Sequence, residues 1–180
     1  MDELISLMYD GLTDEVGSVG GVFESPEDEN EWYVPLLCHG ERFIMIFGLI
    51  SADPVAEHYT GIIRSDAGHD LSPHAYSLKY AAASVYFSSS RFAPLQIKGA
   101  RRNLLRQTVP ELLVIALQTF IGYRPHADEF YFIAGADEDK RIDKLNLWYH
   151  RIGGNLAASL GFSPVHLSKG DWHGYRKTND

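Results

Sequence analysis

Five cationic side chains fall between Arg91 and Arg106: Arg91, Lys98, Arg101, Arg102 and Arg106, with no carboxylate among them. Such a block suits a compact anion, phosphates first, because arginine donates planar paired hydrogen bonds to oxyanions. The plain alternative is a solvated basic loop. The opposite charge gathers in the first third of the chain, where Arg42 is the single basic residue. There Glu24, Glu27, Asp28, Glu29 and Glu31 could face a cationic amine or a basic partner, or simply face water. His150, His166 and His173, with Asp171, are near one another in sequence and could in principle ligate zinc. No His-Glu-x-x-His spacing and no i,i+4 pair occurs, so no metal is expected. Cys38 beside His39 is formally a nucleophile–base pair, but neighbours on a strand point to opposite faces, and Cys38 reads as a small core residue. Ser88-Ser89-Ser90 has no nucleophile-elbow pattern and reads as a strand end or bulge.

These residues need elements to position them. Leu4, Ile5, Met8 and Leu12 have helical spacing, and Asp2-Glu3 suit the positive end of that helix. Val22-Phe23 and Trp32-Tyr33-Val34 read as short strands around a polar turn at residues 25–30. Residues 42–50, rich in Phe, Ile and Met, read as the best buried strand. Residues 58–64 read as the next strand, and 78–87 as another that ends in Val85-Tyr86-Phe87. Thr108 can cap a helix with Pro110 at an early position. Leu112, Leu113, Ile115, Ala116, Leu117 and Phe120 make that helix apolar on most sides, and Gly122 and Pro125 end it. Residues 130–134 form a short apolar strand. A long helix through Ile142, Leu145, Trp148, Tyr149 and Ile152 follows, disturbed at Gly153-Gly154 and stopped at Gly161. Residues 165–167 and 173–177 read as a closing hairpin.

The composition is that of an ordinary globular protein: 180 residues, 45% hydrophobic and 22% charged. One α/β (α+β) domain over residues 1–180 is expected, with a mixed, largely antiparallel sheet flanked by helices. The net charge of -8 argues against a nucleic-acid binder, whose affinity comes from phosphate neutralisation. The longest apolar run, residues 43–50, is too short to span a bilayer, and Met1-Asp2-Glu3 does not open a signal peptide. A cytoplasmic protein with no membrane role is the expectation. A lone Cys38 allows no internal disulfide.

Residues 78–177 resemble the GNAT superfamily of acyl-CoA-dependent N-acyltransferases in their order of elements. Gln96-Ile97-Lys98-Gly99-Ala100-Arg101 is similar to that family's pyrophosphate-binding turn. Ser159-Leu160-Gly161-Phe162 is similar to the end of its last helix, and Trp172 to Lys177 to its final strand. The resemblance implies a single GNAT-like domain that moves an acetyl or other acyl group from a CoA-type thioester to an amine on a small molecule or a protein. Gln96, Lys98, Gly99, Ala100 and Arg101 would hold the diphosphate, with Arg102 and Arg106 on the outer phosphate. Tyr149 would be the acid toward the departing thiolate, its ordinary pKa of ~10 being close to a thiol's. Its alternative is a Trp148-Tyr149 pair packed in the core. Two positions depart from the family pattern: Arg101 stands where a small residue is usual, and the family's usual tyrosine falls on Ala157. Both favour a non-catalytic GNAT-like interaction module that uses the acidic N-terminal third. Ser90-Arg91-Phe92 also resembles the Ser-Arg-Phe segment of acyl-homoserine-lactone synthases, a GNAT-like branch.

Overall fold

The computed structural model describes residues 2–15, 17–54, 56–88, 100–133, 153–154, 157–167 and 172–178. It is a mixed α/β structure built on a mostly antiparallel sheet, and contacts group the chain into two compact units.

The first unit holds residues 1–46 and 80–125. Helix α1 (Asp2–Tyr9) is followed by the short strands β1 (Ser18–Val19) and β2 (Phe23–Glu24), then by β3 (Glu31–Cys38) and β4, which begins at Glu41 and runs to Leu49. Both β1 and β2 pair antiparallel with β3. Trp32 to Leu36 are all buried, as are Phe43 to Phe47, so neither strand shows the alternation of a half-exposed sheet. The reason is cover on both faces. Tyr33, Ile44 and Ile46 pack with Met8 and Tyr9 of α1, while Trp32 meets Phe120 of helix α4 (Ala100–Tyr123) at 6.1 Å between ring centres.

The second unit holds residues 47–79 and 126–180. Its elements are helix α2 (Ala56–Ala67), most of strand β5 (Ala75–Ala82), and strands β6 (Glu129–Ile133), β7 (Phe162–Val165) and β8 (Trp172–Lys177). β5 and β6 run parallel, β6 and β8 antiparallel, and β8 lies between β6 and β7. Side chains alternate along β6. Tyr131 joins Ile50, Tyr59, Ile63 and Ala75 under α2, and Phe130 packs edge-on or tilted against Phe47, Tyr76 and Phe162 on the other face. Gly174, paired with Tyr131, is glycine for space: a Cβ there would lie 2.6 Å from Tyr131 Cε1.

Several expected elements hold: α1, β4, β6, β3, which extends to Glu31–Cys38 beyond the expected Trp32–Val34, and the closing hairpin, whose first strand is Phe162–Val165 rather than residues 165–167. Gly161 ends the last helical residues with φ +73, the left-handed conformation expected of a C-terminal cap. Three expectations are corrected. Residues 58–64 belong to helix α2, because buried Tyr59, Ile62 and Ile63 share one face at helical spacing. Val85 and Tyr86 are in a one-turn helix, α3 (Ala83–Tyr86), that tucks Tyr86 against Tyr33. The third is the start of α4. The expected long helix over residues 142–152 lies outside the described residues.

Candidate functional site

Helix α4 begins at Ala100, directly after Gly99, and runs 24 residues without a break. Thr108 is therefore no cap but sits in the third turn, and Pro110 lies inside the helix. Ala, Arg, Leu and Gln between 100 and 107 are good helix formers, which explains why the helix extends back past the proline. Its buried stripe is Leu105, Val109, Leu112, Leu113, Ala116, Leu117 and Phe120. The stretch Asn103–Tyr123 is long and apolar enough to cross a membrane, and its stripe packs on β3 as a core helix does.

The N-terminal turn of such a helix carries unpaired N–H groups and the positive end of the macrodipole. No acidic residue occupies that turn. Arg101 and Arg102 stand there instead, and Arg106, exposed, follows one turn later. Cations at this end work against the dipole by roughly 0.3–1 kcal/mol each, so their placement does not serve the helix. Gln96, Lys98 and Gly99 lie outside the described residues, as does Tyr149. Ala157 is helical and buried, and supplies no hydroxyl.

The β3–β4 turn brings together side chains that strand geometry would have separated. His39 adopts φ +50 and Gly40 φ +73, the pair of left-handed residues that a tight two-residue hairpin needs. His39 therefore leaves the alternation of β3. Its Nε2 lies 3.4 Å from Thr108 Oγ1, and the same threonine hydrogen-bonds the Cys38 thiol. Burial raises that thiol's pKa, the Asp14 charge adds to the rise, and the Thr108 hydrogen bond works the other way. A fully buried thiol held protonated is inert, so Cys38 keeps the core role its sequence suggests.

The acidic residues of the first third are largely engaged. Tyr33 and Tyr86 both donate to Glu31 Oε1, at 2.7 and 2.8 Å, and Tyr33 also lies 2.9 Å from Ser25 Oγ. Burial and the Glu31 carboxylate push the Tyr33 phenol up to about 12, against the Ser25 hydrogen bond. Ser25 Oγ accepts the N–H groups of Glu27 and Asp28, and Asp28 Oδ1 accepts that of Asn30. Glu24 takes the Tyr123 hydroxyl at 2.9 Å. The loop is thus a built turn that presents Glu27, Asp28 and Glu29 to solvent.

In the second unit a fully buried carboxylate, Glu129, starts β6. Its Oε2 accepts the Tyr131 hydroxyl at 3.0 Å and the Ser72 N–H at 3.3 Å; its Oε1 faces Arg176 Nε at 3.1 Å and His69 Nε2 at 3.5 Å. Burial and the Glu129 charge drive the Tyr131 phenol far up. Nothing in the composition marks Glu129 as special; the Asp128-Glu129 pair before an apolar strand was the available signal. The cluster stands at the amino ends of β5 and β6, whereas ligands of parallel strands gather at carboxyl ends, so it is a structural clasp. His166 is exposed and His173 buried, and among the described residues no three His, Cys, Asp or Glu side chains converge as metal ligands. Compared with models of known protein families, with curated proteins and with solved structures, the chain matches none.

Proposed function

We propose that this chain is an acyltransferase of GNAT-like type, moving an acetyl or other acyl group from a CoA-type thioester to an amine. The observation that carries the reading is that the chain is already helical at Ala100, the residue that follows Gln96-Ile97-Lys98-Gly99 in the sequence, with Arg101, Arg102 and Arg106 in the first two turns of α4. The sequence pattern put the helix start at Thr108, and α4 instead includes the two turns before it. The topology adds support. α4 is the crossover that parallel β5 and β6 require, and the final strand, β8, sits beside β6 with β7 outside it. In this reading the α4 amides with Gln96, Lys98, Gly99, Ala100 and Arg101 bind the diphosphate, Arg102 and Arg106 reach the outer phosphate, and Tyr149 protonates the leaving thiolate. The thioester is a co-substrate.

Titration with acetyl-CoA tests this. At a hundredfold excess over its dissociation constant the ligand stabilises the native state by about 2.7 kcal/mol, seen as a raised melting temperature. Arg101→Glu with Arg102→Glu abolishes that shift. A flat response to millimolar acetyl-CoA overturns the reading. Buried Ala157 favours a second reading, a non-catalytic module whose acidic turn at Glu27–Glu29 meets a basic protein. Recovery of such a partner, lost on reversing those three charges, with no thermal response to acetyl-CoA, is the outcome that selects it.

A further inference from the structure

An open cleft of about 510 Å³ lies in the second unit between α2 and the segment that leads into β5. Ser51, Glu57, Thr60, Gly61, Arg64 and Ser72 line it. Its volume falls within the range of small-molecule sites. Three features set it apart from an ordinary surface furrow. First, Gly61 sits inside α2, where glycine costs roughly 0.5–1 kcal/mol relative to alanine. A Cβ at Gly61 meets nothing within 4 Å, so no packing within the protein demands the glycine. Its effect is to keep that side of the cleft open. Second, the facing wall is fixed. The Ser72 N–H and the His69 ring both address buried Glu129, which pins this stretch to the sheet.

Third, the charges are unequal. The Arg64 guanidinium is neutralised by Asp70 at 2.7 Å, whereas Glu57 has no ion pair among the described residues. Thr60 Oγ1 spends its proton on the Ala56 carbonyl and faces the cleft as an acceptor. A primary ammonium has three donors and no acceptor, and suits a carboxylate flanked by hydroxyl oxygens. Ser51 and Ser72 add groups that pair with ligand hydroxyls.

We infer that the α2 cleft is a binding site for a small hydroxylated primary amine, of the amino-alcohol or amino-sugar class, with its ammonium on Glu57 and its body over Gly61. The site is separate from the acyl-transfer reading. A chain that ignores acetyl-CoA can still bind the amine, and the converse holds too.

The test is calorimetric titration of the full chain with D-glucosamine at a pH where its amine is charged, with neutral N-acetyl-D-glucosamine as the control. Glucosamine binds saturably, and the control binds at least about tenfold more weakly. Glu57→Gln brings the glucosamine affinity down by a similar factor. Gly61→Leu removes binding while holding or raising the melting temperature, since leucine is the better helix former. Failure of glucosamine to saturate at tens of millimolar overturns the inference. So does equal affinity for both sugars, or undiminished binding in either variant.

Discussion

The two adjacent glycines in the last helical stretch do different jobs. A Cβ on Gly153 would lie 2.0 Å from the Tyr175 hydroxyl, whereas one on Gly154 meets nothing within 4 Å. Gly153→Ala therefore forces Tyr175 out of a nearly closed site and costs about 1–3 kcal/mol, the usual range for overpacking. Gly154→Ala is neutral or gains up to about 1 kcal/mol from helix propensity. Thermal unfolding of the two variants reads the difference directly, and equal melting temperatures would contradict the packing described. In the sequence these glycines are a single disturbance of a helical pattern. Only the position of a tyrosine about twenty residues later separates them. His39 teaches the same lesson: strand alternation assigned it to the face opposite Cys38, and the left-handed turn brought both onto Thr108.

At the scale of elements, Pro110 is the residue that misled and the one that can be used. A proline reads as a helix start because its missing N–H is harmless there, and with Thr108 ahead of it the pattern is persuasive. Within α4 it instead removes a hydrogen bond to the preceding turn and crowds that turn's carbonyl. Pro110→Ala is expected to stabilise the chain by about 1–3 kcal/mol, measured as a higher urea midpoint at unchanged slope. A lower midpoint would mean that packing of the half-buried ring outweighs the backbone cost. Helix α2 was misread for another reason. Tyr59, Ile62 and Ile63 are too few apolar residues to distinguish a short strand from one helical face, and β-branched isoleucines tilt local preference toward strand.

Across the molecule, buried phenols set the alkaline limit. Burial, and the Glu31 carboxylate beside it, raise Tyr33 to about 12; burial first, then the neighbouring carboxylates, drives Tyr86 and Tyr131 higher still, and burial against the Arg42 charge does so for Tyr9. An unfolded tyrosine gives up its proton near ~10. Below that pH both states keep the proton, and the stability these phenols contribute is fully present. Above it the unfolded chain binds fewer protons, so stability falls as pH rises through the window from ~10 to about 12. Absorbance of tyrosinate and far-ultraviolet circular dichroism, followed together, should change in one step above pH ~10. Ionisation of most tyrosines near their ordinary value with the circular dichroism still native would show that they are not buried as described.

The mixed α/β class, the buried strand at residues 42–50, a strand at Trp32-Tyr33-Val34, the apolar strand at Phe130 and the glycine stop at Gly161 were all written in local pattern. Each depends on hydrophobic spacing or on one residue's backbone freedom, and such signals are complete within a few positions. The basic block from Arg91 to Arg106 was likewise legible, because five cations without a carboxylate need no fold to be noticed. Only the tertiary structure decided where α4 begins, that β8 lies beside β6, that Glu129 gathers His69, Ser72, Tyr131 and Arg176, and that Gly61 faces an open cleft. These facts rest on partners tens of residues apart, and burial between distant segments overrides the weak preference of each segment alone.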